Sequence, residues 1–203
     1  MIRNLPSCPS LGPNHLDAGA GTSQPPPGRR RSLEKVVPVT QLHLVFGLQG
    51  AGKSTHARKL AEAEQAVHLA IDDWMGQLFG PDLPQPLDFG WVMERVARCE
   101  RRIWLTALAI VRGVGRAVLD LGFMKAASRG RFLALADEHG LSAKLHYVTA
   151  ERDVRRQRVS QRNAARGDTF SFEVTPAMFD AMEALFEPVT AEELALAAGL
   201  ATG

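Results

Sequence analysis

The sequence predicts an α/β fold with three layers, α/β/α, built on a mainly parallel sheet. Two observations carry that reading. From Val39 onward, short apolar runs rich in β-formers alternate with helix-forming stretches, which implies βαβ units and right-handed crossovers. In addition, a glycine-rich nonapeptide, Gly47–Thr55, lies where the first strand gives way to the first helix. A chain of 203 residues, 45% apolar and 23% charged, is long enough for one such domain.

The elements follow in order. Residues 41–46 (QLHLVF) form an apolar run ended by Gly47 and read as the first strand. Residues 54–65 (STHARKLAEAEQ) are rich in Ala, Leu, Lys and Glu and read as a helix. A second strand spans 66–71, and Pro81, Pro84 and Pro86 punctuate the loop beyond a helix beginning near Trp74. Residues 91–112 form a long helix, with Val92, Val96, Cys99, Ile103 and Ala107 at helical spacing. A third strand (116–121), a helix (128–139), a fourth strand (143–148) and an arginine-rich helix (150–165) follow, then a helix from Pro176. Residues 194–201 are alanine-rich and do not read as a fifth strand.

Residues 1–38 are of another character. They hold seven of the 12 prolines and show no apolar periodicity, so the expectation is a disordered Pro/Gly-rich extension preceding a folded domain at 39–203. Five basic residues (Arg3, Arg29, Arg30, Arg31, Lys35) face two acids there, a net +3, which leaves −1 for residues 39–203. A general polyanion-binding surface is therefore not expected, and nucleic acid is not the expected partner. Two cysteines, Cys8 and Cys99, make neither a disulfide framework nor a zinc site, and no apolar run is long enough for a membrane span. Lacking a secretory signal, the chain is expected in the cytoplasm.

Gly47-Leu48-Gln49-Gly50-Ala51-Gly52-Lys53-Ser54-Thr55 satisfies GxxxxGK[ST] in its confirming strand–helix context. The glycines let successive N–H groups turn inward as an anion nest, and the following helix directs its positive end at the same phosphates. Lys53 suits the β- and γ-phosphates, and the Ser54 hydroxyl suits Mg²⁺. The expected ligands are thus a nucleoside triphosphate and Mg²⁺ within a P-loop nucleoside triphosphate hydrolase fold. No [NT]KxD tetrad, LSGGQ-like signature or paired acids after the third strand occur, which argues against a GTPase, an ABC ATPase and an AAA+ machine. Small phosphoryl-transfer kinases remain.

Asp72 and Asp73 stand where the second strand ends, the edge at which α/β sheets bind ligands. A kinase acting on a hydroxyl needs a carboxylate there to accept the proton. With Gly47–Thr55, Ile71-Asp72-Asp73-Trp74-Met75, later arginines and the segment from Thr169-Phe170 through Thr175-Pro176-Ala177-Met178-Phe179 to Phe186-Glu187-Pro188, the chain resembles the bacterial predicted-kinase family often labelled "AAA family ATPase". That group is similar to chloramphenicol phosphotransferase, the zeta toxins and polynucleotide 5′-kinase. The likeness covers about residues 42–190 and departs from the family at Val189, where a second proline is usual.

The resemblance implies a phosphotransferase from ATP to an acceptor hydroxyl, with Asp72 as catalytic carboxylate and Asp73 capping the next helix or supporting Asp72. It also implies an arginine lid over 152–166 that excludes water from the transfer. Within it Arg155, Arg158 and Arg162 share one helical stripe: Arg155 is expected on the nucleotide, and Arg158 and Arg162 on the transferred phosphoryl group. Asp120, at the end of the third strand, either holds Mg²⁺ hydration, bonds the acceptor or caps the turn before Gly122. The acceptor, a small molecule, is placed in the region 76–102 without being identified. Two rivals share these motifs: a nucleotide-binding ATPase or regulator without an acceptor, and a zeta-toxin-like kinase of an activated sugar, which growth arrest on expression would reveal. The acidic segment 171–203, without Lys or Arg, is expected to pack through Met178, Phe179, Met182 and Phe186, its acids set against the arginine cluster.

Overall fold

The computed structural model describes residues 40–113, 115–165 and 173–202. The expected extension at 1–38, Arg166, and the Thr169-Phe170 part of the family segment lie outside them. Among the described residues five strands, β1 (Leu42–Phe46), β2 (Val67–Ala70), β3 (Ala117–Gly122), β4 (Ala143–Thr149) and β5 (Ala197–Thr202), form one sheet in the order β2-β3-β1-β4-β5. Every pairing is parallel. Among the described residues seven α-helices occur, α1 (Lys53–Glu64), α2 (Ile71–Phe79), α3 (Phe89–Arg112), α4 (Ala126–Glu138), α5 (Arg152–Ala165), α6 (Pro176–Leu185) and α7 (Ala191–Leu196).

Strand alternation divides the core between two faces. Leu42, Leu44 and Phe46 of β1 and Leu119 of β3 point one way, onto Ile103, Trp104 and Ala107 of α3 and Phe132 of α4. Val45, Val118 and Val148 point the other way, onto Ala57 and Ala61 of α1. Apolar residues on both sides are what a parallel sheet covered by helices requires. The chain is thus the three-layer α/β/α fold read from the sequence. His43 and His146 share the α1 side: both are buried, with His43 Nδ1 3.0 Å from His146 Nε2. Their place is the core beneath α1, where burial and the neighbouring histidines push His146 down to about 4.

Most element bounds fall within two residues of the sequence reading, and two features depart further from it. The segment after α7 pairs with β4 as a fifth strand, from Leu145↔Ala197 to Thr149↔Thr202. Its alanine-rich sequence has little intrinsic β preference, and the open edge of β4 supplies what propensity does not. The helix expected near Trp74 begins three residues earlier, at Ile71, directly on the end of β2. Ala70 is its N-cap residue and no side-chain cap bond forms, so Asp73 does not cap; Asp72 and Asp73 lie in the first turn, where the helix dipole favours negative charge. By contrast, Asp88 caps α3 by accepting from the Trp91 N–H at 3.1 Å, and Thr175 caps α6 ahead of Pro176.

Candidate active site

Where β1 ends the chain must turn sharply to enter α1, and Gly47 (φ 145°) and Gly50 (φ 77°) allow it. A Cβ at Gly47 would stand 2.0 Å from the Val148 carbonyl oxygen, and one at Gly50 would stand 2.5 Å from that of Arg155. Backbone crowds both positions, so only glycine fits. Gly52 is the N-cap of α1 and makes no side-chain cap bond, so the N–H groups of the first turn are left to an external acceptor. The Lys53 side chain curls back to donate to the Leu48 carbonyl at 3.1 Å, bridging the loop it follows. Ala51 is fully buried under α1 and anchors the loop from below.

A cleft of about 520 Å³ opens above this loop. The loop side supplies Gln49, Lys53, Ser54 and Thr55; β3 supplies Asp120; the β2–α2 junction supplies Asp72; and α5 supplies Arg158 and Arg162. The register explains the meeting: Asp120 pairs with Val45 of β1 on one side and with Ala70 of β2 on the other, so both carboxylates reach the same sheet end as the P-loop. Arg155 is placed differently. It is buried and absent from the cleft lining, donating to Glu183 of α6 through both terminal nitrogens and to the Ala150 carbonyl at 2.9 Å. It still touches the loop, with Nη1 3.4 Å from the Gln49 carbonyl.

The charges in the cleft act on one another. Burial pulls the Lys53 ammonium below its ordinary value; Asp120 and Asp72 oppose that, while Arg162 and Arg155 add to it. Asp72 opens to solvent at the cleft mouth, yet protein surrounds it closely enough that burial is the main cause raising its carboxyl. Asp120 raises it further, and Lys53 and Arg162 hold it back. A carboxylate whose proton affinity is raised in this way is better suited to accept a proton than an ordinary surface aspartate.

Several residues in or beside the cleft escaped the sequence reading. His68 of β2 lies beside Asp120, Nε2 to Oδ2 3.5 Å; the signal was its place two residues before Ala70 on a strand bordering β3. Met93, Val96 and Glu100 of α3 line the cleft inside the region 76–102, where the sequence reading placed the acceptor without naming residues for it. Met124, Lys125 and Ser128 line it from the turn into α4. That turn is fixed from the C-terminal side: the Glu187 N–H donates to the Met124 carbonyl at 2.9 Å, and the Glu187 carboxylate accepts from the Ala126 N–H at 2.7 Å.

The residues present fit a nucleotide with its metal: an uncapped helix start, a glycine cradle, a lysine and a hydroxyl at the loop, and a carboxylate opposite. Among the described residues no group of three or more His, Cys, Asp or Glu could hold a metal by itself.

The model of the family described as AAA domain (AAA_33) matches residues 42–189. A search of curated proteins returns no significant match. Among solved structures, a candidate kinase from Chloroflexus aurantiacus is similar at TM-score 0.59 and 19% identity, over 72% of this chain and 76% of that one. Chaetomium thermophilum Kti12 in complex with ADP-AlF3 is similar at TM-score 0.53 and 17% identity, over 78% and 86% of the two chains. A sugar kinase from Janibacter sp. HTCC2649 is similar at TM-score 0.50 and 16% identity, over 80% and 84%. These likenesses show a P-loop kinase-type fold.

Proposed function

The chain belongs to the AAA domain family, and on that premise we propose that it is an ATP- and Mg²⁺-dependent phosphotransferase moving the γ-phosphate to the hydroxyl of a small-molecule acceptor. One observation carries the reading: Lys53, Asp72 and Arg162 share one cleft over the P-loop and act on one another's charge. A P-loop alone binds nucleotide, whereas a carboxylate of raised proton affinity facing it is the added part that a hydroxyl acceptor needs.

In this reading the loop N–H groups and Lys53 hold the β- and γ-phosphates. Ser54 Oγ, with Asp120 behind it, would hold Mg²⁺, which when bound neutralises phosphate charge. Asp72 accepts the acceptor's hydroxyl proton as the new O–P bond forms and the bond to the β-phosphate breaks. Arg158 and Arg162 stabilise the transferred group's equatorial oxygens. Arg155 serves instead to fix α5 against the loop, through Gln49 and Glu183. The catalytic domain is residues 39–203, and the cytoplasm, where ATP is plentiful, is the compartment this activity fits. Among the described residues no helix is long and apolar enough to cross a membrane.

Incubation with γ-labelled ATP and a panel of alcohols tests the reading. Label should move to an acceptor in the wild type and stay on ATP in Lys53→Ala. Release only as inorganic phosphate, independent of any acceptor, would favour an ATPase or regulator instead.

A further inference from the structure

The long helix α3 carries one continuous stripe at spacings of three and four residues: Phe89, Met93, Val96, Glu100, Ile103 and Ala107. Its C-terminal half is core, for Ile103 and Ala107 are fully buried against the sheet. Toward its N-terminus the same stripe turns onto the cleft, with Met93, Val96 and Glu100 in the lining. Phe89, one turn earlier, is 67% exposed and Met93 46% exposed. An apolar stripe that leaves the core at the wall of a catalytic cleft marks a surface waiting for an apolar ligand rather than for solvent.

The opposite wall agrees. Phe123 and Met124 follow β3 into the cleft, and Met182 enters from α6. The charged groups on this side are already paired, Glu100 with Arg131 and Lys125 with Glu187 at 3.3 Å, and Ser128 adds one hydroxyl. The cleft's other cations, Lys53, Arg158 and Arg162, stand on the loop and α5 side, whereas Asp72 and Asp120 put carboxylates beside the acceptor. A polyhydroxylated sugar would find few groups there to replace its water, and an anionic acceptor would meet negative charge.

We infer that the acceptor is an alcohol with an apolar body and no negative charge, seated between Met93 and Val96 of α3 and Phe123 and Met124 after β3. This rests on the phosphotransferase reading and names its second substrate class. Its hydroxyl end points at Asp72, and its body replaces water along the α3 stripe. Met93, at the open end of the wall, sets the class.

The test is binding to wild-type protein carrying Mg²⁺ and the non-hydrolysable nucleotide AMP-PNP, titrated with phenylpropanol, with glucose and with an oligonucleotide bearing a free 5′ hydroxyl. Phenylpropanol should bind at least about tenfold more tightly than either of the others. Met93→Glu should weaken it by at least about tenfold, and Met93→Leu should keep it within about threefold. Glucose or the oligonucleotide binding as well or better, no phenylpropanol binding at millimolar concentration, or an indifferent Met93→Glu overturns the inference. AMP-PNP affinity, read in the same titrations, separates the outcomes: if the nucleotide fails to bind, the phosphotransferase reading falls; if it binds and the alcohol does not, only the acceptor class falls.

Discussion

The fully buried guanidinium of Arg129 in α4 donates to both carboxylate oxygens of Glu193, at 2.5 Å from Nε and 2.9 Å from Nη2, across 64 residues of sequence. It also donates to the Phe123 carbonyl at 3.1 Å and lies over the Phe46 ring at the end of β1. One side chain thus ties the C-terminal segment to the turn that carries the cleft wall. Removing the acid leaves a buried cation without its counter-charge, so Glu193→Ala should cost about 3 kcal/mol, the lower end for a broken buried pair because the carbonyl partners remain. Chemical denaturation measures this, and a loss below about 1 kcal/mol would show that the pair contributes little.

A second ion pair makes stability depend on pH. The hydrogen bond from Arg155 is the main cause holding the Glu183 carboxyl below its ordinary value. A depressed acid stabilises the fold above its unfolded pKa and loses that contribution as pH falls through its folded one. At neutral pH, Glu183→Gln should therefore be less stable than wild type by about 2 kcal/mol. The gap should close as pH drops below about 4, the usual carboxylate range. Melting curves across that range check it; a gap independent of pH contradicts it.

Asp120 raises the Asp72 carboxyl, so its charge should be visible in the rate profile. A base works only when deprotonated, so activity should fall on the acid side through the raised Asp72 value. Asp120→Asn removes the negative neighbour and should move that acid limb to lower pH, while Arg162→Gln should move it higher. Opposite shifts would exclude Asp72 as the titrating base.

Gly50 is the point where the P-loop meets α5. Ala there combines left-handed strain, about 1–2 kcal/mol, with a Cβ 2.5 Å from a carbonyl oxygen that cannot swing away. Gly50→Ala should weaken nucleotide binding by at least about tenfold, measured by titration with ADP. Unchanged affinity would show that the loop holds phosphate without this packing.

Much of this arrangement was legible in the sequence because local signals agreed. The Gly47–Thr55 loop carries its own chemistry, and the βα alternation placed it at a strand end. What stayed hidden was set by distant partners. Arg155, Arg158 and Arg162 look equivalent on a helical stripe, and only Glu183, 28 residues further on, draws Arg155 out of the cleft. Val96 belongs to a spacing that reads as core, and periodicity cannot show where a helix face leaves the core for a cleft wall. Ala197–Thr202 is mostly alanine and glycine, with little intrinsic β preference, and the neighbouring β4 edge decides its state.

The most direct measurement is phosphoryl transfer by Asp72→Asn beside its nucleotide affinity. Asparagine keeps the size of the side chain and removes its capacity to take a proton. The account predicts a fall in transfer rate of about a hundredfold or more, with ATP affinity close to wild type. Full transfer activity in Asp72→Asn would contradict it.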